Sequence, residues 1–256
     1  MNPTAIACIS FACVFGGALL GMFGRDALPG HHLSADSKDV VKLGVGLIGT
    51  MAALVIGLLI ASAKGSFDTV NDQLKQLATK VILLDRALAR YGPETADSRE
   101  LLRRSVALKV DQVWPREGAQ PAQVDILAKA AGPADEIAER QIRALVPQTD
   151  TQRALQSEAL GIVTDVAQTR WMLFGEVGER SIPVPFLVVL VLWLVVIFAS
   201  FGLFAPRNAT VVAVLVLCAL SASGAIFLIL EMDRPFEGLM KVSDVPLRYA
   251  LSQLGR

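Results

Sequence analysis

LGVGLIGTMAALVIGLLIASA, residues 43–63, holds no charged side chain. An α-helix needs roughly 20 apolar residues to cross about 30 Å of hydrocarbon, whereas an apolar run of about 10–14 suits a buried soluble helix. The stretch therefore predicts a membrane span. Three more runs share its character: Ala5–Phe23, Pro183–Ala205 and Ala209–Leu230. Two spans thus precede, and two follow, a charged middle segment, Lys64–Ile182. The 256-residue chain is 53 % hydrophobic. That content sits in the four runs and does not alternate at the helical or strand period of a soluble domain. The first run is expected to be a retained span and not a secretory signal. No Lys or Arg precedes Arg25, so a basic leading region is missing. Gly16, Gly17, Gly21 and Gly24 also suit a packed helix.

Charge narrows the function. The chain carries 24 basic and 24 acidic residues, and the middle segment 16 and 17. That balance excludes a nucleic-acid surface, which needs net positive charge to displace counterions. Cys8, Cys13 and Cys218 all fall inside apolar runs and read as small buried hydrophobes, with no disulfide framework or CxxC metal signature. His31 and His32 stand side by side without a third ligand and read as a polar turn, so no metal is expected. No cofactor motif is present. GxSxG, Walker A, HExxH and a Gly-rich turn after a strand are all missing from the sequence, and the carboxylate spacings of the middle segment fit surface salt bridges. No enzyme is predicted.

An even number of spans puts both termini and the middle segment on one side. Near the span ends that side carries Lys64, Lys75, Lys80, Arg170, Arg180, Arg234, Lys241 and Arg248. The loops Gly24–Lys42 and Pro206–Asn208 carry Arg25, Lys38, Lys42 and Arg207. The positive-inside rule makes the first side cytoplasmic.

Span two runs into Ser66–Tyr91 without a helix breaker. Leu74, Leu77, Val81, Leu84, Leu88 and Tyr91 recur at three and four, so one helix from Leu43 to Tyr91 is expected, ended by Gly92-Pro93. Asp97 with Glu100 predicts a capping-box start for the next helix, with Leu101, Leu102, Val106, Val110 and Val113 on its buried face. Trp114-Pro115 closes it, and Pro115–Pro121 is a loop. Shorter helices are expected near Ala122–Ala131 and Pro133–Leu145. A longer one follows near Thr149–Gly175, with Thr149 and Gln152 as a second capping box. Pro235 breaks the chain after the fourth span. A last helix, about Val245–Leu254, starts from Ser243 or Asp244, with Pro246 in its first turn. Its apolar face is expected to dock on the middle bundle, because its polar face is not strongly basic.

Three features bear on function. Gly49, Ala53, Gly57 and Ala61 form a ridge of small residues at every fourth position, and Gly17 with Gly21 repeats the spacing in the first span. Lipid gives no hydrophobic drive for helix association, so close backbone approach matters. The plain expectation is packing between spans of one chain; the sharper one is a subunit contact or pore axis. Met51, Val55, Leu58 and Ser62 form the face opposite the ridge, which in a conduit would be an apolar constriction gating by dewetting. Glu231, Asp233 and Arg234 cluster at the inner end of the fourth span. They read either as ordinary interfacial charge or as a ring at a pore mouth, where acidic residues would concentrate cations. No ionisable side chain lies mid-span, which argues against an ion-coupled transporter or proton pump but not against a channel.

The C-terminal third is similar to the bacterial bestrophin-like membrane proteins. The similarity rests on Arg170-Trp171, Ile182-Pro183-Val184-Pro185, Trp193, Phe201-Gly202 and Pro206-Arg207-Asn208. It is clearest in FLILEMDRPFEG, residues 227–238, and continues through Val242-Ser243, Pro246-Leu247-Arg248 and Ala250-Leu251. IASAKGSF, residues 60–67, resembles a second family element. The resemblance implies kinship with bestrophins, pentameric channels with four spans per subunit, cytoplasmic termini and a helical cytoplasmic part between spans two and three. Bestrophins line their neck with aromatic and aliphatic residues of span two. Here that span holds no aromatic residue, and Phe67 lies just beyond it.

The expected fold is an all-α membrane protein. Residues 1–63 hold spans one and two, 64–182 a cytoplasmic helical domain, 183–231 spans three and four, and 232–256 a cytoplasmic tail. The expected setting is a bacterial inner membrane, with lipid, ions and further copies of the chain as partners; five copies are implied by the resemblance alone. The expected function is a bestrophin-like ion channel. The alternative is a membrane-anchored sensor or scaffold whose cytoplasmic helices bind a partner without a pore.

Overall fold

The computed structural model describes residues 2–29, 34–115, 133–178, 182 and 184–255. Among these, every regular element is helical: α1 (Pro3–Gly24), α2 (Ala35–Tyr91), α3 (Ala96–Val113), α4 (Pro133–Ala144), α5 (Asp150–Gly178), α6 (Val184–Phe204), α7 (Ala209–Met232) and α8 (Val245–Gln253). Two compact units result, one of residues 1–65 and 181–233, the other of 66–180 and 234–256.

The first unit holds four helices long and apolar enough to cross a membrane: α1, the first part of α2, α6 and α7. Each buries only a minority of its apolar residues; Leu20, Leu43, Leu54, Val188 and Leu217 all point outward. An exposed apolar belt of this extent has no place on a soluble monomer. Lipid is its solvent. Three hydroxyls inside the spans donate to carbonyls of their own helix, as a hydrocarbon medium favours. Ser223 donates to the Ala219 carbonyl at 2.8 Å, Ser200 to Val196 at 3.0 Å and Thr50 to Leu47 at 2.8 Å.

Glycine decides how α1 meets α6. A Cβ at Gly202 would lie 1.9 Å from the Ala18 carbonyl oxygen, and one at Gly21 2.0 Å from that of Ala199. In each glycine the hydrogen in place of Cβ therefore points at a backbone carbonyl across the crossing. This is a reciprocal pair of Cα–H···O contacts, a recurrent device of close helix pairs. At the C-terminal end of α1, Arg207 Nη2 donates to the Met22 carbonyl at 2.7 Å and pairs with Asp26 at 2.7 Å, tying the α6–α7 turn to the end of α1. Asn208 caps α7 by accepting from the Val211 N–H at 2.8 Å.

α2 begins earlier than expected, at Ala35 and not Leu43. The Ser34 hydroxyl accepts from the Ser37 N–H at 3.3 Å, and Asp36 sits in the first turn, where the helix dipole favours an acid. The helix runs unbroken to Tyr91, as the uninterrupted periodicity requires.

In the second unit one face of α2 packs Val70, Leu74, Ala78 and Val81 against Val106 and Val110 of α3, Leu247 and Ala250 of α8, and Leu254 just after it. The last helix thus docks on the bundle. A second cluster joins Leu84, Ala87 and Leu88 to Ile142 and Ala159. Gly92, at φ +143°, turns the chain out of α2, a conformation that favours glycine. The Thr95 hydroxyl donates to the Leu88 carbonyl at 2.6 Å and so satisfies the helix end.

Two local expectations need correction or qualification. Asp97 does not cap α3: the helix starts at Ala96 after a short 3-10 turn, Pro93–Thr95, which already places Asp97 inside the first helical turn. Thr149 does cap α5, accepting from the Gln152 N–H at 3.1 Å, but Gln152 reaches back to the Gln148 N–H and not to that of Thr149. The helix expected over Ala122–Ala131, the loop after Pro115 and the pair His31, His32 lie outside the described residues.

After α7 the chain turns through Pro235, Phe236 and Gly238, the last at φ +80°. Phe236 is buried, with Trp114 edge-on at 5.7 Å. The Trp114 indole N–H donates to the Val242 carbonyl at 3.0 Å. This helix break and turn is the physical content of residues 231–238.

Candidate functional site

The candidate pore residues expected from the sequence lie in residues 43–63 of α2. At 3.6 residues per turn, Ala52, Leu59 and Ala63 fall on one stripe, and all three are buried. The two sets singled out from the sequence flank that stripe on opposite sides. On one side, Ala53, Gly57 and Ala61 are exposed and Gly49 is half-buried. A Cβ at Gly49 or Gly57 would meet no atom within 4 Å among the described residues. Among the described residues, no atom of the chain therefore sits against Gly49 or Gly57 of the ridge. The tight small-residue crossing is made instead by Gly17 and Gly21 with α6.

On the other side Met51 is 43 % and Leu58 68 % exposed, and Ser62 is also exposed. Val55 differs. It is half-buried and lines an apolar pocket of about 230 Å³ with Phe186, Val189, Leu190 and Trp193 of α6. Gly49 contributes to a larger groove of about 700 Å³ among α2, α6 and α7, with Lys38 and Lys42 among its lining residues.

At the end of α7, Glu231 is only 3 % exposed, so its carboxylate is buried in the single chain. Asp233 is the C-cap residue, its N–H bonded to the Ile229 carbonyl at 3.3 Å. Arg234 pairs with Glu237 at 3.5 Å. Among the described residues no group of three His, Cys, Asp or Glu side chains is placed to hold a metal.

The bestrophin-like domain family matches residues 12–247. The chain belongs to the bestrophin-like family. Solved structures agree in fold. A variant of a bacterial bestrophin homologue from Klebsiella pneumoniae superposes with a TM-score of 0.68 at 13 % identity, covering 99 % of this chain and 97 % of that one. A second variant of that homologue gives 0.65 at 14 % identity, covering 98 % and 99 %. No match is found among the curated proteins.

This bestrophin-like chain also places charges where the sequence reading did not look. Lys109 lies three residues after Val106 and four before Val113, on the apolar stripe of α3. It lines a cavity of about 80 Å³ with Ser105, Trp114, Arg170, Leu173 and Phe236, among others. Burial, and then the Arg170 cation, pull the Lys109 ammonium down to about 8. Burial also lowers Arg170. Asp85, likewise on the buried face of α2, takes a two-pronged ion pair from Arg99, at 2.8 and 3.0 Å. That hydrogen bond raises the Arg99 pKa. The available signal in each case was a charge at a position the 3.6 period assigns to the core.

Proposed function

We propose that this chain is the repeating subunit of a homo-oligomeric ion channel of bestrophin type in a bacterial inner membrane. α2 faces the axis, and both termini and the second unit lie in the cytoplasm. Five copies would follow the bestrophin pattern. The observation that carries the reading is the open small-residue flank of α2. A ridge such as Gly49, Ala53, Gly57, Ala61 permits close backbone approach, and the chain itself supplies no backbone to Gly49 or Gly57 among the described residues. Further copies of α2 would fill it. The opposite flank, Met51, Leu58 and Ser62, would then line the conduit as an apolar constriction. Family membership and the matching fold support the same reading, as does the lack of mid-span charge, which suits a pore better than a coupled transporter. Asp233 at the cytoplasmic ends would concentrate cations at the mouth.

Planar-bilayer recording tests conduction. The purified protein is expected to give unitary currents. Leu58→Ser is expected to raise their conductance several-fold, because a hydroxyl ring stays wetted where a leucine ring dries. Silence across a range of pH, Ca²⁺ and salt would contradict the channel and favour an anchored sensor or scaffold. Gly57→Leu is expected to break the assembly while leaving the chain helical, read as a fall in particle mass with an unchanged circular dichroism spectrum.

A further inference from the structure

We propose that the groove among α2, α6 and α7 in the first unit is a binding site for one anionic phospholipid, its phosphate at Lys38 and Lys42 and one acyl chain along the groove. The groove, about 700 Å³, lies wholly within that unit. Its wall is mainly apolar, with Val45 of α2, Phe201 of α6 and Val214 of α7 on three sides. Among the described residues the charged ones on the wall are Lys38 and Lys42, both cations. They stand one turn apart on the same face of α2. The half-buried Lys38 places its ammonium 6.0 Å from the ring centre of Phe204, the last residue of α6. Arg25 donates to the carbonyl of Ala205, another wall residue, at 3.5 Å and so brings a third cation to this end. Lys42 pairs with Asp39 at 3.4 Å, but both side chains are well exposed, and such a pair exchanges for another anion at little cost.

Depth and polarity select the ligand class. From Lys38 to Gly49, both on the wall, α2 rises about 16 Å, half of a hydrocarbon core of roughly 30 Å. The groove is therefore one leaflet deep. Its charged end lies where α6 stops and α7 starts, so the cations sit at the level of the head groups. A phospholipid in that leaflet carries an anion at the level of the lysines and hydrocarbon at the level of the apolar wall. A soluble phosphate supplies only the first, and a neutral lipid only the second. Basic recesses between membrane helices commonly hold anionic head groups. Lysines that merely snorkel to the interface would accept any lipid, so selectivity separates the two cases. Gly49, at the deep end, is also the first residue of the ridge proposed to meet further copies; the acyl chain would end there. The site does not depend on conduction, because its test reads bound lipid.

Native mass spectrometry of the full-length protein counts that lipid. After delipidation, phosphatidylglycerol or phosphatidylcholine with the same acyl chains is titrated into the micelles. The expected result is one phosphatidylglycerol per chain, with about tenfold or more phosphatidylcholine needed for the same occupancy. Lys38→Gln combined with Lys42→Gln is expected to need about tenfold or more phosphatidylglycerol, since each lysine contributes to holding the head group. Gly46→Trp puts an indole on the groove wall, where a Cβ meets nothing within 4 Å among the described residues, and is expected to remove the adduct with both lysines kept. Equal retention of the two lipids, or unchanged binding in either variant, would overturn the site. Glycerol 3-phosphate displacing the lipid would overturn the seat for the acyl chain. Should the variants fail to fold, cryo-electron microscopy of the unaltered protein in phosphatidylglycerol nanodiscs decides the matter. An acyl chain in the groove with its head group at Lys38 supports the site. A helix of a further copy in the groove, or a groove without lipid, refutes it.

Discussion

Gly202→Ala is expected to destabilise the four-span unit by about 3 kcal/mol or more, at the upper end of the usual cost of overpacking. The new Cβ would sit 1.9 Å from the Ala18 carbonyl oxygen and 2.8 Å from its carbon. Both are backbone atoms, so no rotamer change relieves the clash, and α1 and α6 must move apart along their whole contact. Gly21→Ala meets the same obstacle from the other helix, 2.0 Å from the Ala199 carbonyl oxygen. The double variant is expected to cost less than the sum of the two, because one separation relieves both clashes. Gly16→Ala and Gly24→Ala are the controls. A Cβ meets nothing within 4 Å at either position among the described residues, and alanine is the better helix former by up to about 1 kcal/mol. Unfolding in mixed micelles with rising dodecyl sulfate measures all five variants. Equal midpoints for Gly202→Ala and Gly16→Ala would contradict the close crossing.

Arg99→Ala is the second large effect, expected at about 3–5 kcal/mol in the second unit. Asp85 is 1 % exposed and accepts both arms of the Arg99 guanidinium. The Gly255 N–H adds a longer contact to the same carboxylate at 3.4 Å. Removing Arg99 strands a carboxylate away from water. Removing Asp85 leaves an arginine whose side chain is still 20 % exposed and can reach solvent, so Asp85→Ala is expected to cost less. Arg99→Lys keeps the charge but cannot reproduce the fork, and should fall between wild type and Arg99→Ala. An apolar pair, Asp85→Leu with Arg99→Met, should recover most of the loss, because the pair's attraction is largely offset by the cost of burying it. Thermal unfolding followed by circular dichroism ranks the four. Arg99→Ala milder than Asp85→Ala would contradict the assignment of the buried partner.

The spans were legible because length and lack of charge leave an apolar run of some 20 residues no other stable setting. The continuity of α2 and the docking of α8 were legible from their periods. Boundaries were less so. Ser34 extended α2 through a cap that the apolar run did not advertise, and the Pro93–Thr95 turn displaced Asp97 from the cap of α3. Gly17 and Gly21 announced a close crossing, but their partner Gly202 has no small residue four positions away to mark it, only Ala199 three before and Ala205 three after. The candidate pore was the least legible part. A leucine facing lipid and one facing a neighbouring copy meet equally apolar surroundings, so the sequence pattern does not distinguish them. The buried Asp85 and the half-buried Lys109 and Arg170 were visible as breaks in the core stripes, but only once those stripes had been drawn residue by residue.

The account turns on further copies of α2 covering the open flank of Gly49, Ala53, Gly57 and Ala61. Mass photometry of the detergent-solubilised protein tests this most directly. The expected particle is a single closed assembly, five times the 27.4 kDa chain on the bestrophin pattern, and Gly57→Leu should dismantle it. A particle of 27.4 kDa for the unaltered protein, in detergents that keep it folded, would contradict the assembly and with it the pore.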